Sequence, residues 1–175
     1  RVFLLTVVAG YLVPGGAVLA CDSRVLAGDQ IASDSCDKFV IAGSAVCLVS
    51  GQDGALMEAI GQAKNFEGVR MLATEYQQGN SGLNWNLLCY DRRTEQLLDF
   101  DSDGCTLTVG PWATRGAGGP YATGALSASS IPRTLEAAEK LVRKACSIAI
   151  KHSAACGGRI RVLTVRGKRT AVEVR

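Results

Sequence analysis

Two kinds of apolar patterning alternate along these 175 residues, and their order is what most restricts the folds open to the chain. Short runs dense in apolar and β-branched residues come first, at 4–13, 17–21, 30–33, 39–41 and 45–50. Glycine-containing turns such as Pro14-Gly15-Gly16 separate them, as they separate consecutive antiparallel strands. The period then changes. Over 55–64 and 66–78, apolar residues recur at helical intervals (Leu56 and Ile60; Val69, Leu72 and Tyr76), and Gly79-Asn80-Ser81-Gly82 ends the stretch. Strand-like runs resume at 83–91, 96–100 and 105–109. A second helical pair starts near Gly118 and runs again from 132 to 152, with Leu135, Ala138, Leu141, Val142, Ala145 and Ile148 as its stripe. Two further strands, 159–165 and 170–174, flank the turn Arg166-Gly167-Lys168. With no repeat and no linker, residues 1–175 are expected to form a single α+β domain. Two antiparallel sheets with a helical layer outside each would cover every apolar face.

Composition narrows the function classes. Hydrophobic residues at 47% and charged ones at 20% give material for a large core and exclude a disordered chain. A formal charge of +3 with interspersed signs, and aromatics at only 6%, argue against a nucleic-acid partner. The apolar run 2–13 is interrupted by Thr6 and Gly10 and stopped by Pro14, so it reads as a buried strand rather than a signal peptide or membrane span. Seven cysteines, an odd number without a C-x-x-C pair, are expected to be free, buried thiols in a reducing compartment; neither zinc nor any other cofactor is expected. Gly116-Ala117-Gly118-Gly119 precedes a helix but lacks the lysine and hydroxyl residue of a phosphate-binding loop. The sole histidine, His152, ends a helix, where a cation suits the dipole, and is not expected to be catalytic.

The constellation that carries chemistry is Thr6, Asp22 and Lys38, each separated from the next by sixteen residues. A threonine hydroxyl is a poor nucleophile and needs a base and a nearby cation. An N-terminal threonine has its own base in the α-amine, a neighbouring lysine favours the alkoxide, and a carboxylate keeps that lysine charged. Taken alone, the three residues read by default as a strand threonine beside a structural Asp22–Lys38 ion pair.

The words around them resemble the proteasome β-type family, which includes the bacterial two-ring peptidase that partners an unfolding ATPase. The matching stretches are Ala17-Val18-Leu19-Ala20-Cys21-Asp22-Ser23-Arg24, Ile31-Ala32-Ser33 leading to Asp37-Lys38, and Gly116-Ala117-Gly118-Gly119-Pro120-Tyr121-Ala122. Gly82-Leu83, Asp91 and Asp101-Ser102-Asp103-Gly104 are similar to the family's central hairpin, and Ala154-Ala155-Cys156-Gly157-Gly158 to its last crossover. The resemblance spans nearly the whole chain. It implies an N-terminal-nucleophile hydrolase fold, a four-layer α-β-β-α sandwich of two antiparallel sheets. It also implies a cytoplasmic threonine endopeptidase acting on peptides or unfolded proteins. Its partners would be other β-type subunits in stacked rings, with an unfolding ATPase or an α-type ring beyond them. By motif position Thr6 would be the nucleophile, with Asp22 and Lys38 tuning it, and Gly51 would supply an oxyanion-hole N–H. Val25, Leu26 and Cys36 would line the substrate cleft.

The chain also departs from the family. Residues 1–5 stand before Thr6 as a propeptide or N-terminal extension, and Leu5 replaces the glycine often found at the self-cleavage point. A one-residue gap at Pro14–Gly16 would put Leu5 at the nucleophile position. Ala117 stands where the family has a serine, and Ser153 and Cys156 replace a carboxylate and a serine. The helical region before Gly82 is shorter than usual. A catalytically silent structural subunit, or an unprocessed precursor serving ring assembly, therefore stands as the alternative.

Overall fold

The computed structural model of the chain describes residues 2–3, 5–51, 55–167 and 172–175. They form mixed α and β structure with antiparallel sheets and four helices. The strands are β1 (Val2–Phe3), β2 (Val8–Val13), β3 (Gly16–Asp22), β4 (Val25–Ala27), β5 (Gln30–Ser33), β6 (Phe39–Ala42) and β7 (Ala45–Gly51). Helices α1 (Ala55–Ile60) and α2 (Phe66–Gly79) follow, then β8 (Trp85–Asp91), β9 (Gln96–Asp101), β10 (Thr106–Thr108) and β11 (Trp112–Arg115). Helices α3 (Gly119–Ser127) and α4 (Leu135–His152) precede β12 (Ile160–Arg166) and β13 (Val172–Val174).

One five-stranded sheet has the order β11-β2-β3-β12-β13 and the other β10-β9-β8-β7-β6; β1, β4 and β5 make a small third sheet. The side-chain alternation of a strand explains how the large sheets bury both faces. In β3, Ala17, Leu19 and Cys21 join a core shared with Val46 and Leu48 of β7 and Leu88 and Tyr90 of β8. The residues between them, Val18 and Ala20, point the other way, into a core with Leu126 of α3 and Val142 of α4. β7 divides likewise: Cys47 and Val49 turn to Leu56 of α1 and Val69 of α2. A strand covered on both sides has no polar face to show, so β3 and β7 read as continuous apolar runs.

Helix boundaries follow local chemistry. α2 begins at Phe66 because the Asn65 side chain accepts the Gly68 N–H at 2.9 Å. α4 starts at Leu135 rather than at 132, since extended Thr134 caps it through the Ala137 N–H at 3.2 Å. The apolar stripe read from sequence buries Leu135, Ala138, Val142 and Ala145, while Leu141 and Ile148 are half-buried.

Several expectations are corrected. The strand expected over 4–13 is shorter: residues 5–7 lie outside any strand and only 8–13 pairs with β3, while Val2–Phe3 form the separate strand β1. α1 ends at Ile60, four residues early, where Gly61 begins a turn. β4 and β11 were not expected: they are only three and four residues long, and each exists through pairing with a neighbour, β11 along β2 and β4 along β5. All seven cysteines are free, but Cys105 is exposed and Cys36 half-buried, because each lies in a turn or loop beyond the strands. Part of the turn at Arg166-Gly167-Lys168 and the start of the strand expected over 170–174 lie outside the described residues. Among the described residues, no helix is long and apolar enough to cross a membrane.

Candidate active site

Asp22 is the last residue of β3. The β2–β3 register carries on one step past its final pair, so the Asp22 N–H donates to the Val7 carbonyl at 3.2 Å. Thr6, one residue earlier, thereby meets the Asp22 side chain. Lys38 comes from the other large sheet: it immediately precedes β6, and its carbonyl accepts the Val49 N–H of β7 at 2.9 Å. The two ladders thus bring the three side chains together at the end of β3.

They meet at a single oxygen. Asp22 Oδ1 accepts the Thr6 hydroxyl, the Val7 N–H at 3.1 Å and Lys38 Nζ at 3.0 Å. Its other oxygen accepts the Gly157 N–H at 2.7 Å. Thr6, Asp22 and Lys38 are each 0% exposed. A buried lysine and carboxylate are tolerable only when paired and hydrogen-bonded, and these are both. The Thr6 carbonyl accepts the Gly118 N–H at 3.1 Å. Gly116, with φ +84, lies so close to that carbonyl that a Cβ would collide with it, so the stretch between β11 and α3 closes the site only as glycine.

Other expected site residues fall into two groups. Val25 and Leu26 lie in β4, and the strand before Thr6 runs along β4: Val2 pairs with Ala27 and Phe3 with Leu26. Cys36 packs against the same core as Val25. The strand edge expected to line a substrate cleft thus carries the chain's own amino-terminal backbone. Gly51 ends β7 opposite Trp85 with φ +128, against Asn84 and Trp85. It is two residues beyond Val49, roughly 7 Å along the strand from the Lys38 ladder contact; the contacts that join Thr6, Asp22 and Lys38 do not include it.

At the positions where the chain departs from the family, Ser153 caps α4 and its carbonyl accepts the Cys156 N–H at 3.0 Å. Cys156 is buried beside Gly118, and burial raises its thiol pKa. Burial also pushes the Cys21 thiol, next to Asp22, up to about 12. Both thiols therefore stay protonated and apolar in character near neutral pH. His152 stacks on Tyr121, ring centroids 5.7 Å apart.

Sequence reasoning missed the backbone donors Val7, Gly118 and Gly157. The glycine turns at 116–119 and 157–158 were their only visible trace. Chemically, the arrangement gathers a hydroxyl, an ammonium and a carboxylate in a dry pocket, where electrostatic coupling is strong. No family model matches the chain, and no curated protein matches it.

Proposed function

We propose that the chain is a threonine-type endopeptidase subunit of a proteasome-like ring, with the four-layer N-terminal-nucleophile hydrolase fold. The observation that carries the reading is the convergence of the Thr6 hydroxyl and the Lys38 ammonium on one oxygen of Asp22, all three side chains fully buried. The order of motifs along the chain supports it as well. In the mechanism, the bond between Leu5 and Thr6 is first cut, freeing the Thr6 amine and removing the strand that covers β4. Thr6 Oγ then attacks a substrate carbonyl while its proton passes to that amine. Lys38, held by Asp22, stabilises the developing alkoxide, and the Gly51 N–H stabilises the tetrahedral oxyanion. Collapse expels the substrate amine, which takes the proton from the Thr6 ammonium. Water then hydrolyses the ester and restores Thr6. Val25, Leu26 and Cys36 would receive an apolar substrate side chain. The proposed setting is a cytoplasmic ring of like subunits served by an unfolding ATPase or an α-type ring.

The alternative is a silent structural subunit or precursor. Thr6 bonded to Leu5 and fully buried, with β1 along β4, favours it, as do Ala117, Ser153 and Cys156.

Intact-mass spectrometry of the assembled particle, followed by a β-lactone inhibitor and a fluorogenic peptide, decides between them. A chain starting at Thr6 that gains one inhibitor mass supports the peptidase, and Thr6→Ala should then lower turnover at least about 1,000-fold. Assembled particles that keep residues 1–5 and neither gain mass nor cleave peptide would establish the silent subunit.

A further inference from the structure

Two of the donors that hold Asp22, Lys38 Nζ and the Gly157 N–H, arrive on segments far apart in sequence. Both segments are tied to the residue that follows Asp22. Ser23 is 1% exposed and uses every polar group it has. Its N–H donates to the Gly157 carbonyl at 3.2 Å, and its carbonyl accepts the Cys36 N–H at 3.1 Å. Its hydroxyl donates to the Asp34 carbonyl at 2.5 Å and accepts the Arg159 N–H at 2.7 Å. One side chain thus joins the loop leading to Lys38 and the turn presenting Gly157.

Arg24 closes the same knot from outside. Its Nε and Nη2 contact the Asp34 carboxylate at 2.8 and 3.2 Å, and its Nη1 donates to the carbonyls of Ala154 at 3.4 Å and Cys156 at 3.2 Å. The turn is tight, and it requires glycine at Gly158. A Cβ on Gly157 would collide with the Arg24 guanidinium; one on Gly158, where φ is +70, would collide with Ser23 Oγ.

We propose that Ser23 is a positioning residue, which through its hydroxyl sets the Lys38 loop and the Gly157 turn at one separation and so aims both donors at Asp22. The inference rests on the peptidase reading for its effect on rate, and on geometry alone for the coupling of the two segments. Ser23 touches none of the reacting atoms; its carbonyl also holds the Cys36 N–H, so its loss acts on Thr6 activation and reaches the proposed substrate edge only at Cys36, while Val25 and Leu26 keep their β4–β5 pairing.

The test uses the natively assembled protein with Ser23→Ala, and Arg24→Gln as a milder second variant in case the first does not fold. Hydrogen exchange followed by mass spectrometry should accelerate about tenfold in both segments 34–38 and 156–160, since each loses a buried partner, with the β2–β3 ladder unchanged. Turnover of the fluorogenic peptide should fall up to about 100-fold in kcat with a much smaller change in KM, the signature of misplaced catalytic groups. Unchanged exchange, loosening of one segment only, or an unchanged kcat in an active enzyme overturns the proposal. If the unsubstituted protein neither cleaves nor acylates, the peptidase reading fails by itself, and joint or separate loosening of the segments still decides whether Ser23 couples them.

Discussion

Two of the acid–base pairs that bridge the large sheets among the described residues differ in nearly every physical respect. Asp22 and Lys38 join the end of β3 to the start of β6 with no exposure of either side chain. Asp99 of β9 and Arg115 of β11 bridge them elsewhere, with the Arg115 side chain 34% exposed and that of Asp99 7%. Both oxygens of Asp22 are occupied, by a hydroxyl, an ammonium and two backbone N–H groups. Asp99 takes Arg115 Nε and Nη2 on Oδ2 alone, while its buried Oδ1 accepts no hydrogen bond among the described residues. Arg115 spends another donor on the Thr114 carbonyl at 2.7 Å. The second pair is a strut at the margin of the core. The first is a saturated dry cluster that brings a hydroxyl to a charged pair, an arrangement costly to build for support alone.

The contrast predicts unequal losses. Lys38→Met should cost about 3–5 kcal/mol in chemical denaturation, because it strands the Asp22 carboxylate in the core. Adding Asp22→Asn should recover part of that loss, since the remaining group is then neutral. A double variant that is additive would mean the two side chains are uncoupled.

Arg115→Ala should cost only about 1–2 kcal/mol, with Arg115 a third exposed and the ion pair partly screened. Raising salt from 0.05 to 0.5 M, in the range where the screening length shortens to a few ångströms, should shrink the Arg115 effect and leave the Lys38 effect nearly unchanged. Equal losses at the two sites, or equal salt responses, would erase the distinction between strut and cluster.

The smallest effect tests dryness directly. Cys21 and Cys156 flank the Asp22 cluster, buried and with raised thiol pKa values, whereas Cys105 is exposed. Iodoacetamide at neutral pH, read by peptide mapping, should modify Cys105 first and reach Cys21 and Cys156 only on unfolding. Early labelling of Cys156 would show that solvent reaches the pocket beside Thr6 and Asp22.

How much of this was legible beforehand depends on which force set each feature. β3 and β7 were visible as strands because two-sided burial demands uninterrupted apolar residues, a demand written in sequence. The stripe of α4 was visible for the same reason, although its first turn depended on a cap at Thr134. β4 and β11 were not visible: each draws its existence from a partner strand, and pairing between distant segments leaves no local period.

For the site, residue types and spacing named Thr6, Asp22 and Lys38 without saying that they touch. Taken alone, they read by default as a strand threonine beside a structural ion pair. Backbone donors are invisible in a sequence because every residue but proline carries one; only the glycines at 116 and 157–158 marked where chain had to approach chain.

By itself, then, the sequence determined the alternation of strands and helices, the two-faced burial of the central strands and the identity of three candidate side chains. These follow from local periodicity and residue chemistry. Tertiary structure alone decided that the three share one carboxylate oxygen, that Ser23 ties two remote segments beside it, and that the amino-terminal strand lies along β4. Those outcomes depend on the register of two ladders and on how the two sheets face each other, and distances of that kind exist only once the chain has folded.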